Sequence, residues 1–111
     1  LLKSLVLNLL ENAVKYAPKN TPICIALNKI GDMAVLEVCD EGKPIPEEEK
    51  LKIFDRFYRM GSEDTRTTTG VGLGLYIVQQ VTLMHHGTVK IVDKKEIGKI
   101  FRIEIPYIGA I

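Results

Sequence analysis

Along the opening of the chain, apolar side chains recur at Leu2, Leu5, Val6, Leu9, Leu10, Ala13 and Val14. That three-and-four spacing predicts an α-helix over 2–17 with one buried face, ended by Pro18, which has no amide donor. The period then changes to two. Ile23, Ile25 and Leu27 alternate with other residues, and after Gly31-Asp32 a valine-rich run extends from Met33 to Cys39, which predicts a β-hairpin. Asp40-Glu41-Gly42-Lys43-Pro44-Ile45-Pro46 cannot extend a strand, so a loop starts at Asp40.

Glu47 to Phe57 predicts a short helix, with Pro46 near its first position, acidic residues in its first turn, and Leu51, Phe54 and Phe57 facing inward. No capping side chain precedes it. Between Arg59 and Val71 apolar content nearly vanishes, and Gly61, Ser62 and Thr67-Thr68-Thr69-Gly70 predict a mobile connection of lid length. Helical spacing returns over 73–84 through Leu73, Ile77, Val81 and Met84, with Gly87 as the stop. Val89 to Val92 and Ile100 to Ile105 predict strands joined around Gly98.

The chain has 111 residues, which fits one compact domain or a fragment of a larger protein. With 46% hydrophobic and 26% charged residues it is globular in composition, which argues against a disordered tail. Lys and Arg total 15 against 14 Asp and Glu, so no general basic field draws a nucleic acid. Cys24 and Cys39, in separate apolar runs, read as small core residues of a reducing cytoplasm. No apolar run approaches the roughly 18 residues of a membrane span, and no basic-then-apolar leader opens the chain. The start inside a helical pattern, without Met or a cap, predicts an excised domain.

Asn8, Asn12 and Lys15 stand at spacings that place them on nearly one side of the first helix. An amide oxygen can ligate a hard divalent cation and an ammonium can neutralise phosphate; a solvated helix face is the alternative reading. Thr69-Gly70-Val71-Gly72-Leu73-Gly74-Leu75 runs straight into a helix, where glycine permits backbone approach and free amides favour an anion. A ligand-free hinge is the alternative there. Neither a phosphate-binding loop ending in Gly-Lys-Ser/Thr nor a dinucleotide fingerprint fits these residues. Asp40, at a strand end beside Gly42, can accept a hydrogen bond from an exocyclic amine at the bottom of a pocket, or cap a turn. His85 and His86 are adjacent, so their side chains diverge, and they read as helix termination and packing.

In order, Asn8-Leu9-Leu10-Glu11-Asn12-Ala13-Val14-Lys15-Tyr16, Asp40-Glu41-Gly42, Ile53-Phe54-Asp55-Arg56-Phe57-Tyr58 and Gly70-Val71-Gly72-Leu73-Gly74-Leu75 resemble four boxes, named N, G1, F and G2. These belong to the catalytic, ATP-binding domain of two-component sensor histidine kinases, a GHKL family. The resemblance runs from the first residue to about Pro106. It implies the Bergerat fold, an α/β (α+β) two-layer sandwich with a mixed β-sheet and about three helices on one face, here truncated at its N-terminus.

By the same resemblance, Asn12 would ligate Mg2+ bridging the ATP phosphates, with Asn8 beside it, Lys15 countering phosphate charge and Tyr16 lining the site. Asp40 would read the adenine amino group, Gly42 would give backbone room, and Ile45 would border the base. Gly70, Val71, Gly72, Leu73, Gly74 and Leu75 would form the phosphate-side loop, and Arg59 would face the γ-phosphate. Phe54 and Phe57 would anchor the lid and adjoin a partner domain. The implied activity is transfer of the ATP γ-phosphoryl group to a histidine on a separate dimerisation domain, with a response regulator downstream. The implied parent is a bacterial homodimer, often anchored at the inner membrane, with this domain on the cytoplasmic side. His86-Gly87 matches the His-Gly that follows the G2 helix.

Two positions depart from the pattern. Pro44 replaces the second glycine of the G1 box, and Ile100 stands where threonine is frequent, so base contacts weaken, by roughly tenfold for one lost hydrogen bond. A clipped opening also predicts an exposed sheet edge through which the chain can dimerise. A hydrolytic GHKL ATPase needs a glutamate where Asn8 stands, and an amide cannot take a proton from water. A degenerate binding module is favoured by Pro44 and Ile100 and opposed by Asn12, Lys15, Asp40 and the glycine loop. An anti-sigma-factor serine kinase is disfavoured by the F box.

Overall fold

The computed structural model describes residues 2–55, 74–94 and 98–106. In chain order these form α1 (Leu2–Tyr16), β1 (Cys24–Ile30), β2 (Met33–Asp40), two one-turn 3-10 segments (Glu47–Glu49 and Lys52–Phe54), α2 (Gly74–Met84), β3 (Thr88–Asp93) and β4 (Lys99–Pro106). The strands make a four-stranded sheet in the order β1-β2-β4-β3. The helices lie side by side on one face, α1 against β2 and α2 against β3 and β4. No helix among the described residues is long and apolar enough to cross a membrane.

All three ladders are antiparallel, which corrects the expectation of a mixed sheet. The reason lies in the connections. A two-residue turn at Gly31-Asp32 returns β1 into β2, and Gly98, at φ 105°, helps fold β3 back onto β4, which inserts beside β2. Gly98 also abuts the Asp40 carbonyl so closely that a Cβ there would overlap it, which brings the start of β4 hard against the end of β2.

The alternation of β2 and β4 sets the inner face. Leu36 pairs with Ile103, Val38 with Phe101 and Asp40 with Lys99, so these six side chains share the helix-facing side. Leu5, Leu9 and Ala13 of α1 and Val78 and Val81 of α2 complete the buried core with Ile45, Ile53 and Phe54. Each fully buried Leu, Ile, Val or Phe contributes about 1.5–3 kcal/mol. Phe54 meets Phe101 edge to face, ring centres 6.4 Å apart at 80°. The buried stripe of α1 is narrower than its periodicity suggests: Leu2 and Val14 are exposed because its covering neighbours reach only the Leu5-Leu9-Ala13 line.

The helix expected from Glu47 to Phe57 is instead two separate turns. Lys50 N–H donates to the Glu47 carbonyl (3.3 Å) and Asp55 N–H to the Lys52 carbonyl (2.9 Å), both spaced by three. Pro46 offers no side-chain cap, and the break between the turns discards the helical phase. Ile53 and Phe54 are buried, while Leu51, expected inside, is 86% exposed. Lys50 ties this segment to β3 through Asp93 (3.0 Å) and also pairs with Glu47 (3.2 Å); the hydrogen bond to Asp93 chiefly raises its pKa.

β1 is exposed along its length, an edge strand whose inner-face Ile25 and Leu27 no helix among the described residues covers. Cys24 and Cys39, read above as separate core residues, are direct cross-strand partners. Cys24 is exposed, and both thiols are free. Burial, the first cause, and the neighbouring Cys24 push the Cys39 thiol up from its ordinary pKa.

The end of α2 also differs from expectation. His86, at φ 62°, and not Gly87, is the left-handed residue that stops the helix. His86 N–H donates to the Leu83 carbonyl (3.0 Å) and Gly87 N–H to that of Thr82 (2.9 Å), the paired bonds of a Schellman cap. Gly87 is required for another reason: a Cβ there would run into the Glu104 carbonyl and Ile105, where the chain crosses β4.

His86→Gly raises unfolding free energy by about 1 kcal/mol in urea denaturation by relieving left-handed strain, and Gly87→Ala lowers it. At pH 8, iodoacetamide modifies Cys24 well before Cys39, as read by peptide mass spectrometry, because the Cys39 thiolate is scarcer and less exposed.

Candidate functional site

Period-two alternation carries a carboxylate onto the apolar inner face, because Asp40 follows Leu36 and Val38 on the same side of β2. Opposite it stands Lys99, on the same side of β4 as Phe101 and Ile103. Their side chains are 0% and 1% exposed, and Lys99 Nζ lies 3.0 Å from Asp40 Oδ1. The same oxygen accepts from Gly42 N–H at 2.7 Å, while Lys99 Nζ also donates to the Lys43 carbonyl at 3.4 Å. A Cβ at Gly42 would sit 2.8 Å from the Tyr16 carbonyl, 2.9 Å from Asp40 Oδ1 and 3.0 Å from Lys99 Nζ. Glycine is therefore the residue that lets the loop close over the pair.

Sequence reasoning passed over Lys99. The signal was present: a lysine two residues before Phe101, in a strand whose alternate positions are apolar, lies on the core face. The same alternation corrects the expectation for Ile100, which pairs with Cys39 on the opposite face of the sheet and so does not stand opposite Asp40. Pro44 is exposed and lacks an amide donor, while the carbonyl just before it is held by Lys99.

The first helix runs past this corner toward the start of α2. At the Asp40 end, the Tyr16 carbonyl abuts Gly42, and Lys15, exposed, places its ammonium 5.7 Å from the centre of the Tyr16 ring. One turn earlier is Asn12. At the other end, Asn8 is oriented by its own helix: Nδ2 donates to the Ser4 carbonyl (2.7 Å) and lies 3.4 Å from Ser4 Oγ. Its Oδ1 is turned to the first residue of α2, where a Cβ on Gly74 would be 3.2 Å away. From Asn8 to Tyr16 the axis spans about 12 Å.

Three buried side-chain polar atoms have no hydrogen-bond partner among the described residues: Asn12 Oδ1, Asp40 Oδ2 and His85 Nε2. His85 belongs to the C-terminal end of α2, remote from Gly74. The other two border the α1 line just described. An unpaired buried acceptor costs about 1–3 kcal/mol, so each invites a ligand atom able to satisfy it. Asn12 Oδ1 is a neutral hard oxygen, suited to a divalent cation that keeps most of its shell for other oxygens. Asp40 Oδ2 is an acceptor for an N–H donor. No group of three or more His, Cys, Asp or Glu able to hold a metal occurs among the described residues.

The remaining predicted residues divide plainly. Ile45 and Phe54 are core residues, and Leu75 packs partly buried against that core. Gly74 meets Asn8. Phe57, Arg59, Gly70, Val71, Gly72 and Leu73, together with the lid expected before Gly70, lie outside the described residues.

A family model described as histidine kinase-, DNA gyrase B-, and HSP90-like ATPase matches residues 1–108. The chain is 39% identical over 106 residues to the sensor protein KdpD of Clostridium acetobutylicum, covering 96% of this chain and 12% of KdpD. The solved mycobacterial sensor histidine kinase MprB superposes with a TM-score of 0.81 at 33% identity, over 93% of this chain and 68% of that one. Full-length ShkA in complex with AMPPNP gives 0.80 at 26% identity, over 96% and 21%. Histidine kinase ThkA in complex with the response regulator TrrA gives 0.74 at 30% identity, over 95% and 28%. The chain spans 12% and 28% of the length of the first two curated relatives.

Removing one member of the buried pair strands the other. Lys99→Met lowers unfolding free energy by about 3–5 kcal/mol in urea denaturation, whereas the double change Asp40→Asn with Lys99→Met stays closer to the parent.

Proposed function

Because the chain belongs to the histidine kinase-, DNA gyrase B- and HSP90-like ATPase family, as a sensor histidine kinase ATPase domain, we propose that it binds ATP with Mg2+ along α1. In this reading it presents the γ-phosphoryl group to a histidine on a separate dimerisation domain of the same protein. The observation that carries it is the pair of orphaned buried acceptors, Asn12 Oδ1 and Asp40 Oδ2, bordering one helix. A ligand with an amino-bearing base at one end and metal-bound phosphates at the other satisfies both.

Asp40 Oδ2 accepts from the exocyclic amine, and the closeness of Gly42 to Tyr16 and Lys99 leaves no side chain at that point of the loop. Asn12 Oδ1 is the protein ligand for Mg2+, which when bound draws charge from the phosphate oxygens. Lys15 adds a positive charge at the rim, and the start of α2, beside Asn8, favours the phosphate end. Arg59 and the glycines at 70 and 72 take the roles the resemblance assigns them. In the transfer, the histidine nitrogen bonds to the γ-phosphorus as the bond to the ADP oxygen breaks.

Asn8 separates this reading from hydrolysis. Its amide, fixed by Ser4, has no basic site to accept a proton from water, so the γ-phosphoryl group awaits a histidine rather than a solvent molecule. A response regulator then receives the phosphoryl group; the complex of ThkA with TrrA supports that partner class. The homodimeric, membrane-anchored parent implied by the resemblance is part of the same proposal.

The test is calorimetric titration with AMPPNP and Mg2+. The parent chain binds saturably; Asn12→Ala and Asp40→Ala each weaken binding at least tenfold, and the Asn12 variant also loses its Mg2+ dependence. Equal binding by all three chains, or none by the parent, removes the site assignment. Steady-state phosphate release stays near background, and Asn8→Ala does not alter it.

A further inference from the structure

The nucleotide reading gives Asp40 Oδ2 a ligand but leaves Lys99 unexplained. The other inner-face residues at this end of β4 are Phe101 and Ile103, so packing alone calls for an apolar side chain. An ammonium is expensive to bury, and Gly42 N–H already holds Oδ1 of Asp40. Lys99 therefore needs a reason beyond stability.

Its geometry offers one. An ammonium has three protons, and Asp40 Oδ1 and the Lys43 carbonyl take two of them. Because Nζ is fixed on Oδ1, it sits across a single carboxylate group from the unpartnered Oδ2. The corner thus combines an acceptor without a partner and, beside it, a charged donor with a proton to spare.

On the footing of the nucleotide-binding reading, we propose that Lys99 is a specificity-determining residue of the base pocket, donating to the ring nitrogen adjacent to the exocyclic amine that Asp40 Oδ2 accepts. Acceptor beside donor matches a 6-aminopurine edge, which offers an amine N–H next to a ring-nitrogen lone pair. A 6-oxopurine in the same orientation sets an oxygen against Oδ2 and is rejected. Lys99 also pins the Lys43 carbonyl, holding the loop that bears Pro44 in register with the pair.

The experiment compares AMPPNP with its 1-deaza analogue, in which C–H replaces that ring nitrogen, by calorimetry on the parent chain and on Lys99→Met. The parent binds the 1-deaza analogue about tenfold more weakly, the worth of one charge-assisted hydrogen bond. Folded Lys99→Met binds the two analogues within about twofold of each other. A purely structural lysine would weaken both ligands alike and leave their ratio unchanged. Equal affinity of the parent for the two analogues overturns the role of Lys99 while leaving nucleotide binding intact. Absence of AMPPNP binding by the parent overturns the nucleotide reading itself and this inference with it. Where Lys99→Met does not fold, equal affinity of the parent for the two analogues still overturns the role, and the contact is assigned to Lys99 only by the ratio on a folded variant.

Discussion

Two full charges withdrawn from water must be met almost completely by each other and by nearby dipoles, and the Asp40–Lys99 pair imposes that requirement on everything near it. The β2–β4 register places the two side chains face to face. Gly98 lets β4 begin tight against the end of β2, and Gly42 turns its amide onto Oδ1 in space too small for a side chain. The last turn of α1 closes the same corner through the Tyr16 carbonyl. Strand register, loop course and helix placement therefore converge on one carboxylate, one of whose oxygens has no hydrogen-bond partner among the described residues.

That surplus oxygen gains meaning from α1, which runs as a straight edge between two chemically different ends. At the Asp40 end stands a carboxylate oxygen able to accept from an N–H donor; at the other end the Asn8 amide oxygen lies beside Gly74, the first residue of α2. Asn12 lies between them. The apolar stripe of α1, from Leu5 to Ala13, fixes the helix against the core, so its polar residues are held in place by packing. Those polar residues are the remainder of a helix whose other side is committed to stability.

Much of this was legible in the sequence. Both α-helices and all four strands of the described residues followed from apolar periodicity, and the same periodicity put Asn8 and Asn12 on the first helix and Asp40 at a strand end. Four things were not. The segment after Pro46 has helical composition but no cap, and a break between two turns exposes Leu51, which a continuous helix would have turned inward. His86 carries the left-handed cap geometry that composition assigns to Gly87, because Gly87 is demanded by close approach to β4, a tertiary fact. Ile100 was read from motif position and Lys99 was passed over, whereas strand parity puts Lys99 opposite Asp40. The antiparallel sheet likewise depends on where the β3–β4 hairpin inserts, which local pattern does not encode.

The central claim is that Asn12 Oδ1 and Asp40 Oδ2 are two ends of one ligand site. Heteronuclear NMR on the labelled chain tests it with Mn2+ in place of Mg2+ and AMPPNP as the ligand. The account predicts that the Asn12 side-chain amide broadens only when metal and nucleotide are both present. It also predicts that the Gly42 amide, bonded to the same carboxylate, shifts with the same saturation midpoint in the Mg2+ complex. Broadening of Asn12 by metal alone, or a Gly42 resonance that stays fixed through the titration, would contradict it.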